Sequence, residues 1–433
     1  MPFSTQNSGG ASQAPLLSPT RDAANRTPVL NRLDRAFARP IQHWQIICVV
    51  VVYLLMHFYV LSISHDLIFD EKLWIPEARA ILFRVPLYWV EYPHLSELFM
   101  AAGIWLFGDN PWGWRMASVL FGAIGVVLVY LISLHLAGKR TAMLASALYA
   151  FENLAFSMSG LAMLDVAATA FMLLSFWLYL KKRYALAGIS LAAGSVCSSK
   201  VMLGVIAILA HWLLVRRKDG LRSVLLLAIT GLLALFILMP ATDFLATGEW
   251  LSPFKRILDM LTWQSGQAVT ADYRAAVHPT APWQWFIRPG GILTSGATDW
   301  GDTEKIRRVL YLTPTIWVLV VPSMGYLLYR YFFTKKNRKT PRFILLWFGA
   351  TCLPWIPVEL ITNRMMFTYY LLPTVGAICI AVAYCMENAW QRSMKTGHRT
   401  LGWLTRAAMI AYILFNFVFF LLLSPLTAAL TSA

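Results

Sequence analysis

Two adjacent carboxylates, Asp70 and Glu71, lie just beyond the long apolar run 46–63. An ionised carboxylate held beside a hydrocarbon core is costly, and in a multispanning protein it marks a functional position by default. Three uses are open to this one: a base that takes a proton, an ion site, or a solvated loop charge. Other ionisable groups occupy similar places. Arg115, Asp165, Lys200 and Arg364 sit at the ends of apolar runs, and Glu152, beside Asn153, falls inside one. An unpaired carboxylate at Asp165 would be costly, so it is expected to pair with a cation or to shape an acceptor site rather than to act as a second base. Glu152 is expected to be buried, supporting a site from behind.

The elements that must position these groups are membrane spans. A chain of 433 residues that is 58% hydrophobic and 13% charged, with a mean hydropathy of +0.59, is not an ordinary soluble domain. Apolar runs near the ~20 residues that cross a bilayer recur at 43–63, 112–136, 141–158, 162–180, 184–198, 201–215, 222–241, 309–331, 343–358, 366–386 and 405–424. The expected fold is therefore all-α and integral to the membrane, with about eleven transmembrane helices. Those at 141–158, 184–198 and 343–358 are short or interrupted by polar residues.

Charge sets the expected orientation. With the N-terminus cytoplasmic, the stretches 1–42, 137–140, 181–183, 216–222, 330–342 and 387–406 share one side, and they hold 24 of the 37 Lys and Arg but 4 of the 21 Asp and Glu. Lys and Arg gather on the cytoplasmic side. The basic clusters each stand at the end of a span, so the net charge of +16 reads as topology anchoring beside an anionic leaflet and not as nucleic-acid binding. Residues 1–42 read as a disordered cytoplasmic tail, 43–424 as the transmembrane catalytic domain, and 425–433 as a short outward tail. The five cysteines fall in or at the ends of apolar runs, which indicates neither a disulfide framework nor a cysteine metal site.

Two outward regions are large enough to carry chemistry, 64–111 and 242–308. In the first, 71–80 and 94–107 have the spacing of short amphipathic helices lying in the interface, a lid with Asp70 at its start. The second is rich in tryptophan, including Trp283 and Trp285.

Phe69-Asp70-Glu71, Tyr92-Pro93-His94-Leu95, Gly108-Asp109-Asn110-Pro111-Trp112-Gly113-Trp114-Arg115, Met163-Leu164-Asp165, Ser198-Ser199-Lys200, His278-Pro279 and Arg364 with Phe367-Thr368-Tyr369-Tyr370-Leu371-Leu372-Pro373 follow one another in this order. The set resembles the dolichyl-phosphate-mannose:protein O-mannosyltransferase family, of the GT-C superfamily of integral-membrane glycosyltransferases, over about 45–424. The resemblance implies inverting transfer of mannose from a polyprenyl-phosphate carrier to Ser or Thr hydroxyls of a secreted or membrane protein on the outer face. Transfer to a lipid or cell-wall glycan, such as aminoarabinose-type transfer to lipid, is the alternative. A transporter would call for inverted repeats and polar breaks at mid-membrane, and neither is evident; a partner without activity would have little use for Asp70, Arg115 and Arg364.

A hydroxyl is a weak nucleophile, and a partly desolvated carboxylate is a suitable base for it. Asp70 is assigned that role, and Glu71 either orients Asp70 or stabilises the first turn of the next helix. The departing phosphate needs cations or oriented donors. Arg115 and Arg364 are the candidates from their chemistry, although Arg115 could also snorkel to the headgroups. The resemblance places Lys200 near the carrier phosphate, where an interfacial lysine is the competing reading; His278 either binds phosphate or packs on Pro279. Trp283 and Trp285 are interfacial anchors or sugar platforms, and Tyr369 and Tyr370 stand on the acceptor side where the family often has a histidine. No metal or cofactor is implied beyond the lipid-linked sugar, and a divalent ion stays open. The stretch 242–308 has no room for the β-trefoil domain of eukaryotic members. A compact prokaryotic form in the plasma membrane is therefore expected. His94-Leu95-Ser96-Glu97 also carries an acid where relatives often carry a lysine.

Overall fold

The computed structural model describes residues 43–63, 65–68, 70–87, 92–265, 281–286, 312–334, 338–363, 366–395 and 399–426. The expected tail 1–42 and much of 242–308 lie outside these residues. The chain divides into two units, Met1–Ile47 and Cys48–Ala433. Of the first, only residues 43–47 are described, the start of helix α1 (Trp44–Ile63), and all that follows concerns the second.

Every described element is helical. After α1 come α2 (Glu71–Phe83), α3 (Leu95–Phe107), α4 (Pro111–Ala137), α5 (Lys139–Ala150), α6 (Asn153–Ser159), α7 (Leu164–Leu180), α8 (Tyr184–Cys197), α9 (Gly204–His211), α10 (Leu221–Thr247), α11 (Pro253–Ser265), α12 (Pro314–Val318), α13 (Val320–Phe333), α14 (Lys339–Cys352), α15 (Trp355–Thr362), α16 (Leu372–Lys395) and α17 (Arg399–Leu423). Among the described residues eight helices are long and apolar enough to cross a membrane, or nine if α6 and α7, bent by 115° at their junction, form one broken span. The exact count of eleven is not confirmed among these residues. Each expected run is helical, but 141–158 is split at Glu152 into α5 and α6, and 184–198 is the 14-residue α8.

Burial sorts the spans by role. In Thr368–Lys395, 94% of the apolar window is buried, against 11% for Leu221–Thr247 and for Thr400–Leu423. The first is a central shaft packed by α5, α13, α14 and α17; the other two turn most of their surface to lipid.

The region between α1 and α4 is tied down by close backbone packing. Asn110 caps α4, its Oδ1 accepting from the Trp112 and Gly113 amides at 2.9 and 3.4 Å, and Pro111 takes the first helical position, where its missing N–H costs nothing. Gly113 then lies so close to the end of α3 that a Cβ there would stand 2.0 Å from the Gly108 carbonyl oxygen and 3.0 Å from Ile104 Cα. Expected as an interfacial helix, α3 instead buries Ser96, Glu97, Met100, Ala101, Gly103 and Ile104, leaving Trp105, Leu106 and Phe107 exposed at its end. Gly113→Ala should therefore force α3 off α4 and destabilise the protein by about 1–3 kcal/mol. Thermal unfolding of the purified protein checks this; an unchanged midpoint would contradict the contact.

Candidate active site

The Gly108–Arg115 stretch delivers one guanidinium to one carboxylate. Gly108 turns the chain at a φ of +86°, Asp109 meets Arg79 of α2, Asn110 caps, and one turn into α4 Arg115 points back under α2. Its Nε donates to Glu71 Oε1 at 2.7 Å, and its Nη2 donates to Glu71 Oε2 and to the Asp66 carbonyl, each at 2.6 Å. Both residues are fully buried. Glu71 also accepts from the Ile68 amide at 2.9 Å and, across 91 residues, from the Ala162 amide at 2.8 Å. Arg115 is therefore paired with Glu71 and with the Asp66 carbonyl.

Asp109 forms an outer clamp on the same region. Arg79 Nε and Nη2 donate to its carboxylate at 2.9–3.1 Å and Trp114 Nε1 donates at 2.5 Å. Burial pushes this carboxyl up, but the Arg79 and Trp114 donors outweigh it and hold the group below the ordinary carboxylate range.

Ala162 sits in the bend between α6 and α7, and three residues on is Asp165. Its carboxylate receives Lys200 Nζ at 2.8 and 2.9 Å and the Ser198 hydroxyl at 2.8 Å. Lys200, 9% exposed, lies 4.5 Å from the ring centre of Tyr370, 4.8 Å from that of Tyr369 and 6.0 Å from that of Tyr92, a cation against aromatic faces. Asp70 and Asp165 both act electrostatically on the Tyr369 hydroxyl. Asp70 is half-buried and its side chain does not cap α2. One neighbourhood thus gathers Asp70, Asp165, Lys200, Tyr92, Tyr369 and Tyr370 from five separated segments.

Sequence reasoning missed a second buried cluster beside it. Arg256 of α11 donates to the Tyr92 carbonyl, lies 3.2 Å from His94 Nε2, and its Nε stands 3.5 Å from Asp243 Oδ1. His94 is also 3.9 Å from Asp243 and from Glu97, and all four side chains are buried. The acid at position 97 was the visible signal, since a carboxylate replacing a customary cation needs a cation from elsewhere. The arginine of this cluster stands against Asp243 and His94, on a helix far along the chain, and has no local pattern.

The remaining candidates lie apart. Glu152 is buried and accepts from the Ala155 and Thr313 amides at 2.8 and 2.9 Å, fixing α6 to the start of α12. Trp285 is fully buried and its carbonyl accepts from Trp317 Nε1, so it is a packing residue and not a sugar platform; Trp283 is 43% exposed. His278 and Arg364 lie outside the described residues. Among the described residues no group of three or more His, Cys, Asp or Glu is arranged to hold a metal ion.

Residues 91–242 match the family model for dolichyl-phosphate-mannose-protein mannosyltransferase. A polyprenol-phosphate-mannose–protein mannosyltransferase of Corynebacterium glutamicum is 25% identical, over 83% of this chain and 84% of its own length. One from Mycolicibacterium smegmatis is 23% identical over 93% and 92%. This chain is similar to the protein O-mannosyltransferase family over these residues. Two solved structures share the GT-C fold. The Saccharomyces cerevisiae Pmt1-Pmt2 complex bound to its sugar donor superposes with a TM-score of 0.68 at 11% identity, covering 87% of this chain and 89% of that one. ArnT from Cupriavidus metallidurans, bound to undecaprenyl phosphate, gives 0.55 at 14% identity, covering 80% of this chain and 60% of that one.

Arg115→Met leaves Glu71 buried and uncompensated, and a loss of about 3–5 kcal/mol is expected. The same unfolding measurement reads it; a loss under 1 kcal/mol would show the pair to be dispensable. The Asp109 clamp makes a pH-dependent contribution. Its folded pKa lies below the unfolded one, so its stabilisation is fully present above the unfolded value and is lost as pH falls through the folded value. Hydrogen exchange in 71–83, corrected for intrinsic rate, should stay flat from about pH 8 to 5 and rise below about pH 4. Asp109→Asn should raise it throughout and abolish that step.

Proposed function

We propose that this chain is a glycosyltransferase moving mannose from a polyprenyl-phosphate carrier to Ser or Thr hydroxyls of proteins at the outer face of a prokaryotic plasma membrane, with inversion. The curated relatives carry this activity in their names. The observation that carries the reading is the asymmetry of the acidic pair. Glu71 is locked to Arg115, while Asp70, next to it, is left half-buried beside Tyr369 and its neighbour Lys200. The outer-face assignment rests on helix direction, because Asp70, Asp165, Lys200 and Tyr369 stand at span ends opposite to the Lys- and Arg-rich stretches 181–183, 216–222 and 387–406.

In this reading Asp70 takes the proton of the acceptor hydroxyl as its oxygen attacks the anomeric carbon from the face opposite the carrier. The bond from that carbon to the phosphate oxygen breaks, and its electron pair leaves with the polyprenyl phosphate. Lys200 is the cation proposed for the phosphate side, with Arg364 and His278 proposed beside it from the family resemblance. Tyr369, Tyr370 and Asp165 shape the pocket in which the two substrates meet, and Trp283 is proposed to border the acceptor. Glu71 and Arg115 position Asp70 without touching substrate.

Membranes containing the protein, given radiolabelled polyprenyl-phosphate-mannose and a Ser/Thr-rich peptide, should label the peptide. Asp70→Asn should reduce labelling by at least about 10²-fold, the scale of a lost general base, with normal protein levels. Full activity of Asp70→Asn would remove Asp70 from the role. Labelling of lipid in place of every peptide tested would move the acceptor to the alternative class.

A further inference from the structure

At the other end of the bundle, α13, α16 and α17 leave a furrow of about 530 Å³ between them. Each helix contributes one face. Leu319, Val382 and Met409 line its deep end, and Tyr326, Arg392 and Leu401 its mouth. From Val382 to Arg392 the furrow follows ten residues of helix, ~15 Å, about half of a ~30 Å hydrocarbon core and so one leaflet's depth. Arg392 lines the furrow, and Arg330 and Lys395 lie in the last turns of α13 and α16.

The mouth has polar groups that the protein does not satisfy. The Tyr326 hydroxyl and Arg330 Nε are buried without a hydrogen-bond partner. Arg330 spends Nη2 on the Tyr384 hydroxyl at 3.4 Å, and the Arg392 guanidinium lies 5.9 Å from the Tyr326 ring centre. The Arg330 and Arg392 charges both act on the Tyr326 hydroxyl. Glu387, the one acid on α16, is turned elsewhere, accepting from Gln391 and facing Arg140. Unpaired donors beside a hydrocarbon phase are costly. Two guanidinium groups and a phenol at the mouth of an apolar furrow are matched by one ligand chemistry, a phosphate carrying an acyl chain.

We propose that this furrow binds one anionic glycerophospholipid from the leaflet at the basic end of the bundle, with its phosphate held by Tyr326, Arg330 and Arg392 and an acyl chain in the groove. The site is separate from the candidate active site. Tyr370 and Arg392 stand near opposite ends of the central shaft, 22 residues or ~33 Å apart along it, so the carrier phosphate of the proposed reaction and this headgroup do not compete.

The test is lipid retention. The full chain is reconstituted in nanodiscs of equal phosphatidylglycerol and phosphatidylcholine, released, and weighed by native mass spectrometry. One phosphatidylglycerol per chain should be retained at least fivefold over phosphatidylcholine. Arg330→Gln/Arg392→Gln should remove that preference, and Ala389→Trp, which fills the groove, should remove the adduct. Should the double variant not fold, Tyr326→Phe should still lower retention about threefold. Equal retention of the two lipids, or retention unchanged in all variants, would overturn the proposal. So would a dimer abolished by Ala389→Trp, which would put a second copy in the furrow, or displacement of phosphatidylglycerol by equimolar polyprenyl phosphate.

Discussion

The buried pair between Glu71 and Arg115 is the interaction on which the rest of the site depends. Glu71 is the meeting point of three segments that share no local sequence: the turn 66–68, the start of α4, and the bend at Ala162. Two ions taken out of water are stabilising only when their remaining lone pairs and protons are satisfied. Here both carboxylate oxygens are satisfied, by one guanidinium and two backbone amides. The Ala162 amide is free to reach Glu71 because it lies in the 115° bend between α6 and α7 and not inside a helix ladder. That bend in turn starts α7 where Asp165 can meet Ser198 and Lys200. Glu71 therefore sets, at one remove, where Lys200 stands.

The same pair explains how two adjacent carboxylates serve different ends. Successive residues at a helix start project about 100° apart, so when Glu71 is drawn under α2 toward Arg115, Asp70 is directed elsewhere, on the side of Tyr369. Without the Arg115 charge, two neighbouring carboxylates would repel. The division of labour is geometric first and electrostatic second.

Much of this was legible in the sequence, and what was not has a common cause. The helices were legible because apolar length and period are local, and so was the turn at 108–111, where Gly, Asn and Pro each have a conformational reason to be present. The partner of Asp165 was legible as a class, a cation, because a buried carboxylate needs one. The pairing of Arg115 with Glu71 was not legible, since a cation at a span's mouth looks the same from the sequence whether it faces a headgroup, a ligand or a buried acid. The split at Glu152 was hidden for a related reason. A carboxylate that accepts from Ala155 and Thr313 ends one helix and starts another without Gly or Pro to announce it. The His94, Glu97, Asp243 and Arg256 cluster joins His94 to residues 149 and 162 positions on, and no spacing rule reaches that far.

The pairing of charges has a consequence for how an anionic donor is held. Arg79 faces Asp109, Arg115 faces Glu71, Arg256 faces Asp243 and Lys200 faces Asp165, so each of these cations already has a carboxylate within 4 Å. Three of the four pairs are structural ties between separated segments, and breaking any of them would release α2, α3 or α11. The Lys200 pair differs, because its cation also faces the aromatic rings of Tyr369 and Tyr370. On the proposed reaction a phosphate is best accommodated there, with Lys200 shared between Asp165 and the incoming anion. A shared lysine carries less than one net positive charge toward the phosphate, and a phosphate ester leaving with a full negative charge calls for more. A second cation is then required from the chain, and Arg364, on the segment that leads into Tyr369 and Tyr370, is the residue whose position in the sequence meets that requirement.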